Sequence, residues 1–525
     1  MEPRASRIEL SPLAFLQHSV QVMGERTAVV HGERRYRYAD LGERVGRLSA
    51  ALRAAGVEKG DRVAVLTPNA PAILEAHYGV PALGAILVTL NTRLSAPEVA
   101  YILGDCAPRI LLVDHTLTAL TESADTSGMQ VVVVQDTGAA GDPYEDLLAG
   151  ADPDPLEPYA GSEDDPISIN YTSGTTGRPK GAVYTHRGAY LRAHGVALEA
   201  GMSARTVHLW TLPMFHCNGW CLTWAVTAVG GRHVCLRKVE PERIWELFGS
   251  EGVTHYSGAP TVHLGIVGHP AARRLEQRVT VPTGGSPPSP TLLARMQALN
   301  LHPSHLYGLT ETYGPHMSCT AHPEWDELPV EEQAALLARQ GQTYNGSDLV
   351  RVVDEELRDV PADGATLGEI VMRGNSVTAG YWNREEETAE AFRGGWFHSG
   401  DLGVMHPDGY VELRDRKKDV IISGGENISS VEIEQVLARH PGVYEVAVVA
   451  TPDETWGERP KAYVELRPDA SADEAELLDF CREHLARFKC PAGIAFGELP
   501  RTSTGKVQKF QLRDREWAGR EKAIQ

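Results

Sequence analysis

Residues 61–69 read DRVAVLTPN, 109–114 RILLVD and 130–134 QVVVV. These short β-branched runs have the pattern of strands buried in a sheet. Between the first two lies PAILEAHYGVPALGAILVTL at 71–90, which reads as a helix. Strand and helix signals alternating in this order predict an α/β fold with a substantially parallel sheet. An acidic, turn-rich connection at 137–166 leads to another strand, ISINYT at 167–172.

The pattern changes near residues 408–425. DGYVELRDRKKDVIISGGEN reads as strand, charged turn, strand and glycine turn. Ser429 with Glu432 forms a capping box that opens a helix, and Ser471 with Glu474 a second one. VYEVAVVA and KAYVELRP supply strands between them. This is a small α+β unit of about a hundred residues. The boundary is placed in Asp415-Arg416-Lys417-Lys418, although those residues taken alone read first as a β-hairpin turn. The expected domains are 1–414, a hinge at 415–418, and 419–525.

With 525 residues, 42% hydrophobic and 23% charged, the chain has room for sizeable cores. Lys+Arg number 50 against 70 Asp+Glu, a formal net charge of −20. That balance is opposite to the one a phosphate-tracking nucleic-acid binder needs. A polyanionic ligand must therefore be met locally, by a few cations and backbone N–H groups. The 7 cysteines are scattered without a CxxC pair, which reads as reduced thiols. The longest apolar stretch, residues 79–90, is too short to span a bilayer, and no signal-peptide core or peroxisomal address is recognised. A cytoplasmic protein without membrane insertion is expected.

The segment densest in chemistry is Tyr171-Thr172-Ser173-Gly174-Thr175-Thr176-Gly177-Arg178-Pro179-Lys180-Gly181. Glycines let the backbone approach a ligand closely, adjacent N–H groups make an anion nest, and hydroxyls with one lysine complete a phosphate cradle. The spacing is not that of a Walker loop. A Gly/Thr-rich surface turn is the competing reading.

This string resembles the signature loop of the adenylate-forming enzymes, among them acyl-CoA synthetases, peptide-synthetase adenylation domains and luciferase. Further blocks follow in the family's order. Gly284-Gly285-Ser286-Pro287 is similar to the adenine loop, and Tyr307-Gly308-Leu309-Thr310-Glu311-Thr312 to the YGxTE motif. Gly368-Glu369-Ile370 and Gly380-Tyr381-Trp382 match the next block, and Trp396-Phe397-His398-Ser399-Gly400-Asp401 the ribose block. Asp415 to Asp419 match the hinge, Gly424-Gly425-Glu426-Asn427 follow, and Pro500 to Lys506 match the C-terminal lysine motif. The resemblance covers nearly the whole chain. It implies a large N-terminal adenylate-forming domain and a small mobile α+β C-terminal domain.

The resemblance also implies roles. Thr172, Ser173, Gly174, Thr175, Thr176 and Lys180 would hold the phosphates, and Gly285, Ser286, Pro287, Tyr307 and Gly308 the adenine side. Asp401 would accept the ribose hydroxyls, as acidic residues do in dinucleotide sites. Arg416 would reach ribose or α-phosphate. Thr310 would bond phosphate, while Glu311, with Thr175, would hold Mg²⁺, a hard cation suited to oxygen ligands. Lys506 would neutralise charge at the α-phosphate, with Lys506, Glu311 and Thr310 as the catalytic set. His216, in Pro213-Met214-Phe215-His216-Cys217-Asn218-Gly219-Trp220-Cys221, would line the acyl pocket with Trp220, Tyr256, Gly284 and Thr312. Lys238, Gly424 and Gly425 would serve CoA, and Lys418 the hinge. Ser286 replaces the alanine common in the adenine loop.

The implied reaction is carboxylate–CoA ligation in two steps, using ATP, Mg²⁺ and CoA. The acid expected is a medium-chain, branched or aromatic monocarboxylate. Alternatives are loading of a carrier protein, adenylation of another oxyanion such as nitrite, and amide formation. A homodimer is the default assembly.

Overall fold

The computed structural model describes residues 7–172, 179–285, 288, 290–416, 419–423, 426–453, 455–468, 470–501 and 507–518. Contacts divide the chain into two compact units, Met1–Val350 with Met372–Phe397, and Arg351–Val371 with His398–Gln525.

The first unit is built on two large sheets. One has 7 strands, in the order 380–381, 180–185, 166–172, 86–89, 62–66, 110–114 and 130–134. The strands at 86–89, 62–66, 110–114 and 130–134 run parallel, as the sequence pattern requires. Side chains alternate across it: Val63 and Val65 enter one core cluster, Ala64 and Leu66 another. Each fully buried Val or Leu contributes roughly 1.5–3 kcal/mol, so burying both faces fixes the register firmly. The other sheet has 9 strands, with 279–283, 301–309 and 314–318 adjacent.

The sequence expectation of one helix over 71–90 is corrected. A helix covers Pro71–Gly79 and a strand Ile86–Thr89. Gly84, at φ +70, turns the chain between them in a conformation that glycine adopts without a Cβ penalty. The strand is buried throughout and pairs with 62–66 and 166–172, so sheet pairing overrides the helical pattern.

The second unit contains an antiparallel sheet of 4 strands ending in 397–405 and 411–416, and a sheet of 5 strands from 421–423, 426–428, 443–453, 457–466 and 494–496. Ser429 caps helix Ser430–Leu437 by accepting from Glu432 N, as expected. The next helix, Glu474–His484, is capped by Asp473 and not by Ser471. Asp415 accepts from Ser430 N at 2.5 Å, tying the strand 411–416 to that first helix. Beside it, Lys509 Nζ lies 2.7 Å from Glu434, whose carboxyl is pushed up to about 7 by burial.

All 7 cysteines are buried and unbridged. No helix among the described residues is long and apolar enough to cross a membrane.

Candidate active site

Three elements of the first unit converge on Glu311. The first is the antiparallel hairpin of strands Pro166–Thr172 and Lys180–Thr185, in which Thr172 faces Lys180 across the open end. Close packing forms it: a Cβ on Gly181 would lie 2.7 Å from Ile169 and 3.1 Å from Tyr171. The second is the turn Thr310–Thr312, which the strand Leu301–Leu309 enters. The third is the short strand Gly380–Tyr381, which pairs with Val183 and Ala182 of the hairpin.

Side chains lock these elements together. Tyr184 donates its hydroxyl to Thr310 O at 2.6 Å and stacks on Tyr313 with centroids 3.8 Å apart. The Thr378 N–H donates to Glu311 O at 2.7 Å, and Tyr381 donates its phenol to Glu311 Oε1 at 2.8 Å. Burial first, then the Glu311 charge, pushes the Tyr381 phenol well above its ordinary value, so it remains a donor. Lys180 Nζ lies 5.2 Å from the Tyr381 ring centroid, within cation–π range. A cation and an oriented carboxylate thus share one tyrosine, beside the open end of the hairpin.

Glycines set the neighbouring walls. A Cβ on Gly308 would lie 2.1 Å from Gly314 O, so the strands can approach only if this position is glycine. Tyr307 precedes it, half-buried and paired with Met317. Gly285, at φ +94, ends the strand Val279–Thr283. A Cβ on its neighbour Gly284 would lie 2.9 Å from the Trp220 ring.

Every residue from Cys217 to Cys221 has positive φ, at 41°, 42°, 60°, 53° and 60°. Such left-handed helical backbone costs roughly 1–2 kcal/mol per non-glycine residue. A buried chain of polar groups offsets it. Trp224 Nε1 donates to the Tyr313 hydroxyl at 3.2 Å, and that hydroxyl meets Ser168 Oγ at 3.4 Å. Ser168 donates to Asn218 Oδ1 at 2.8 Å. Asn218 Nδ2 in turn meets His77 Nε2 at 3.2 Å, and His77 Nδ1 meets Ile73 O at 2.7 Å. Burial pushes the His77 imidazole down to about 4, so it is neutral. The carbonyl contact then assigns the proton to Nδ1 and the acceptor role to Nε2. Cys217, its thiol raised to about 12 by burial, points a weak S–H donor at Thr310 Oγ1, 3.8 Å away.

The remaining sequence candidates separate. His216 is half-buried at the start of the left-handed turn. Thr312 is buried, donating to Gly314 O at 2.7 Å and accepting from Leu309 N at 2.9 Å, so its hydroxyl shapes the turn. Tyr256 is fully buried and packs with Phe248 and His263 in a core cluster. Lys238 is exposed and lies 2.6 Å from Glu240, which raises its pKa. In the second unit, Asp401 and Arg416 are partners on paired strands, with Nε 3.1 Å from Oδ1. Ser173, Gly174, Thr175, Thr176, Ser286, Pro287, Lys418, Gly424, Gly425 and Lys506 lie outside the described residues.

Among the described residues no group of three His, Cys, Asp or Glu could cage a metal ion. One oriented carboxylate, Glu311, with Thr310 beside it suits a Mg²⁺ that arrives on nucleotide phosphates and keeps most of its other ligands there.

The family model described as AMP-binding enzyme matches residues 16–382, and that of the AMP-binding enzyme C-terminal domain residues 432–506. The chain is an AMP-binding enzyme. As such it is 44% identical to the peroxisomal acetate/butyrate–CoA ligase of Arabidopsis thaliana, covering 97% of this chain and 95% of that one. It is 43% identical to a 4-hydroxybutyrate–CoA ligase of Metallosphaera sedula, covering 96% and 94%. Among solved structures it is similar to ATP-bound MatB from Rhodopseudomonas palustris, at a TM-score of 0.87 and 28% identity over 97% of this chain and 99% of that one.

Residues outside the sequence candidates hold the elements around Glu311 and Trp220 in place. Tyr184, Thr378 and Tyr381 fix the Thr310–Glu311 turn, while Asn218, Ser168 and His77 fix the approach to Trp220. Tyr381 and Asn218 carried a signal, in the Gly380-Tyr381-Trp382 block and the Pro213 to Cys221 block.

Proposed function

We propose that this AMP-binding enzyme joins a small carboxylic acid to CoA at the expense of ATP. The carrying observation is the Tyr381–Glu311 hydrogen bond beside Lys180, which presents a fixed anion and a fixed cation at the phosphate hairpin. In the first step a carboxylate oxygen attacks the α-phosphorus, and the bond to the bridging oxygen breaks to release pyrophosphate. Lys180 and the hairpin N–H groups hold the phosphates, and Thr310 orients one of their oxygens. Mg²⁺, when bound through Glu311, would spread the charge of the triphosphate. Asp401 would take the ribose hydroxyls, with Arg416 holding its carboxylate in place.

In the second step the CoA sulfur attacks the acyl carbon, the acyl–oxygen bond breaks, and AMP leaves. The thiol proton passes to solvent. A free thiol is partly ionised near neutral pH, so no dedicated base is assigned. Between steps the small domain turns about Lys418, withdrawing Lys506 and bringing Gly425 to the pantetheine path. The acids named for the relatives are short, which narrows the expected substrate to a short or branched monocarboxylate. Those same names favour CoA over a carrier protein, nitrite or an amine as the alternative chemistry.

The experiment is incubation with ATP, Mg²⁺ and an acid panel, with and without CoA. Pyrophosphate and thioester are read separately. Pyrophosphate without thioester would move the acceptor away from CoA, and neither product with any acid would defeat the reading.

A further inference from the structure

Helix Ala96–Cys106 ends on a carboxylate that its own local structure disfavours. Asp105 stands in the last turn, where the carbonyl end of a helix repels an anion, and aspartate is a weak helix former. Its side chain is only 10% exposed. A carboxylate so placed is tolerated only where donors answer it. Two do, from 66 and 279 positions away in sequence. Tyr171 donates its phenol to Oδ2 at 2.7 Å, and Arg384 Nη2 donates to Oδ1 at 2.6 Å. Burial first, with the Asp105 charge adding to it, holds the Tyr171 phenol well above its ordinary value, so it remains the donor.

Both donors belong to elements that carry the candidate site. Tyr171 pairs with Gly181, one step before Thr172 and Lys180 at the open end of the hairpin. Side chains alternate along a strand, so Tyr171 stands on one face and Thr172 with Lys180 on the other. Arg384 closes the turn after Tyr381 and Trp382, its N–H donating to Tyr381 O at 3.2 Å. The Trp382 N–H donates to Gly181 O at 2.7 Å, and a Cβ on Gly181 would lie 3.1 Å from Tyr171 and 3.3 Å from the Trp382 Cβ. Tyr171 and Trp382 pack with helix Ala96–Cys106 in one core cluster behind the hairpin. Lys180 and the Tyr381–Glu311 pair meet on its other face. One carboxylate thus clamps the strand ending at Thr172 to the turn that follows Tyr381.

We infer that Asp105 is a positioning residue for the nucleotide: it touches no substrate, but by holding Tyr171 and Arg384 together it fixes Lys180 and the Tyr381–Glu311 pair in the arrangement that meets Mg·ATP. This deepens the carboxylate–CoA ligase reading and rests on its nucleotide step. Without the clamp the hairpin end and the Tyr381 turn shift against each other, and part of the binding free energy goes into bringing them back.

The test measures binding of the non-cleavable analogue α,β-methylene-ATP with Mg²⁺ by calorimetry, together with both half-reactions. Asp105→Ala is expected to weaken the analogue about 10-fold or more, the scale of one hydrogen bond to a charged group, and to raise the KM for ATP in pyrophosphate release by a similar factor. Thioester formation from ready-made acyl-AMP and CoA should stay near the wild-type rate. Asp105→Asn keeps an acceptor for Arg384 and an amide N–H for the Tyr171 oxygen, so it should bind the analogue nearly as wild type does. Combined with Tyr381→Phe, Asp105→Ala should cost less than the product of the two single losses, because both act through Glu311. Wild-type analogue binding in a folded Asp105→Ala overturns the inference. So does equal loss in both half-reactions, a full product of losses in the double variant, or an Asp105→Asn as impaired as Asp105→Ala. If Asp105→Ala does not fold, the single-arm variants Tyr171→Phe and Arg384→Met decide: each should weaken the analogue, and wild-type binding in both overturns the clamp. Calorimetry needs no turnover, so it separates this from the parent reading. If no acid gives thioester, the ligase reading falls, while weaker analogue binding in Asp105→Ala still supports the clamp.

Discussion

Tyr381 and Glu311, 70 positions apart in sequence, are joined by a hydrogen bond of 2.8 Å from the phenol to Oε1. The bond sets the direction of the carboxylate proposed to meet phosphate-borne Mg²⁺. A hydrogen bond to a charged group is worth about 1.5–3 kcal/mol.

Tyr381→Phe should therefore lower kcat/KM for ATP in pyrophosphate release by about 10- to 100-fold, and raise the Mg²⁺ concentration needed for half-maximal rate. Thermal unfolding should shift little, because the ring and its stacking with Lys180 remain. An unaltered Mg²⁺ dependence would remove Tyr381 from the site.

Asn218 should hold the left-handed turn through its side chain. Asn218→Val places a β-branched residue at φ 42 and strands Ser168 and His77, so it should lower the unfolding midpoint clearly. Asn218→Gly accepts the left-handed backbone but strands the same two partners, so its loss should be smaller and still measurable. An unchanged midpoint in Asn218→Val would show that the amide does not hold the turn.

Much of this was legible in the residues, and what was not has a common cause. The strand at 167–172, the buried strands at 110–114 and 130–134, and the Ser429 cap follow from local pattern. The helix expected over 71–90 failed because strand 86–89 is specified by neighbours on both sides. The Ser471 cap gave way to Asp473, two residues on, which also offers a carboxylate to the helix N-terminus. The left-handed turn is hidden because HCNGWC contains one glycine, and its stability comes from His77, Ser168 and Tyr313, far away in sequence. Hydrogen bonds across such separations leave no periodic trace.

Stability should fall with acid. Burial pushes His77 and His305 down to about 4, and His186, His233 and His263 to about 3. An unfolded histidine titrates near 6.5, so below about that pH the unfolded chain binds protons that the folded chain refuses. Each buried imidazole then contributes stability present above about pH 6.5 and lost towards the folded values, at about 1.4 kcal/mol per pH unit. Glu434, raised to about 7, works in the opposite sense, as one group against several. The unfolding midpoint should drop clearly between pH 7 and 5, and a flat profile would show those histidines to be hydrated.

Lys506 lies in the C-terminal motif, outside the described residues, and its role rests on the family resemblance. Lys506→Ala should lose about 10²–10³ in acyl-AMP formation, the scale of one preorganised charge contact. Given ready-made acyl-AMP and CoA, it should form thioester at near wild-type rate. Equal loss of both steps would contradict the turning of the small domain between them.

In the proposed reaction the acid's carboxylate attacks the α-phosphorus of ATP. Turnover of butanoate labelled with ¹⁸O in both carboxylate oxygens, with ATP, Mg²⁺ and CoA, decides it by mass spectrometry of the products. Attack at the α-phosphorus leaves one ¹⁸O in AMP, none in pyrophosphate, and one in the butanoyl-CoA carbonyl. Label in orthophosphate with ADP as the nucleotide product, or unlabelled AMP beside thioester, would contradict it.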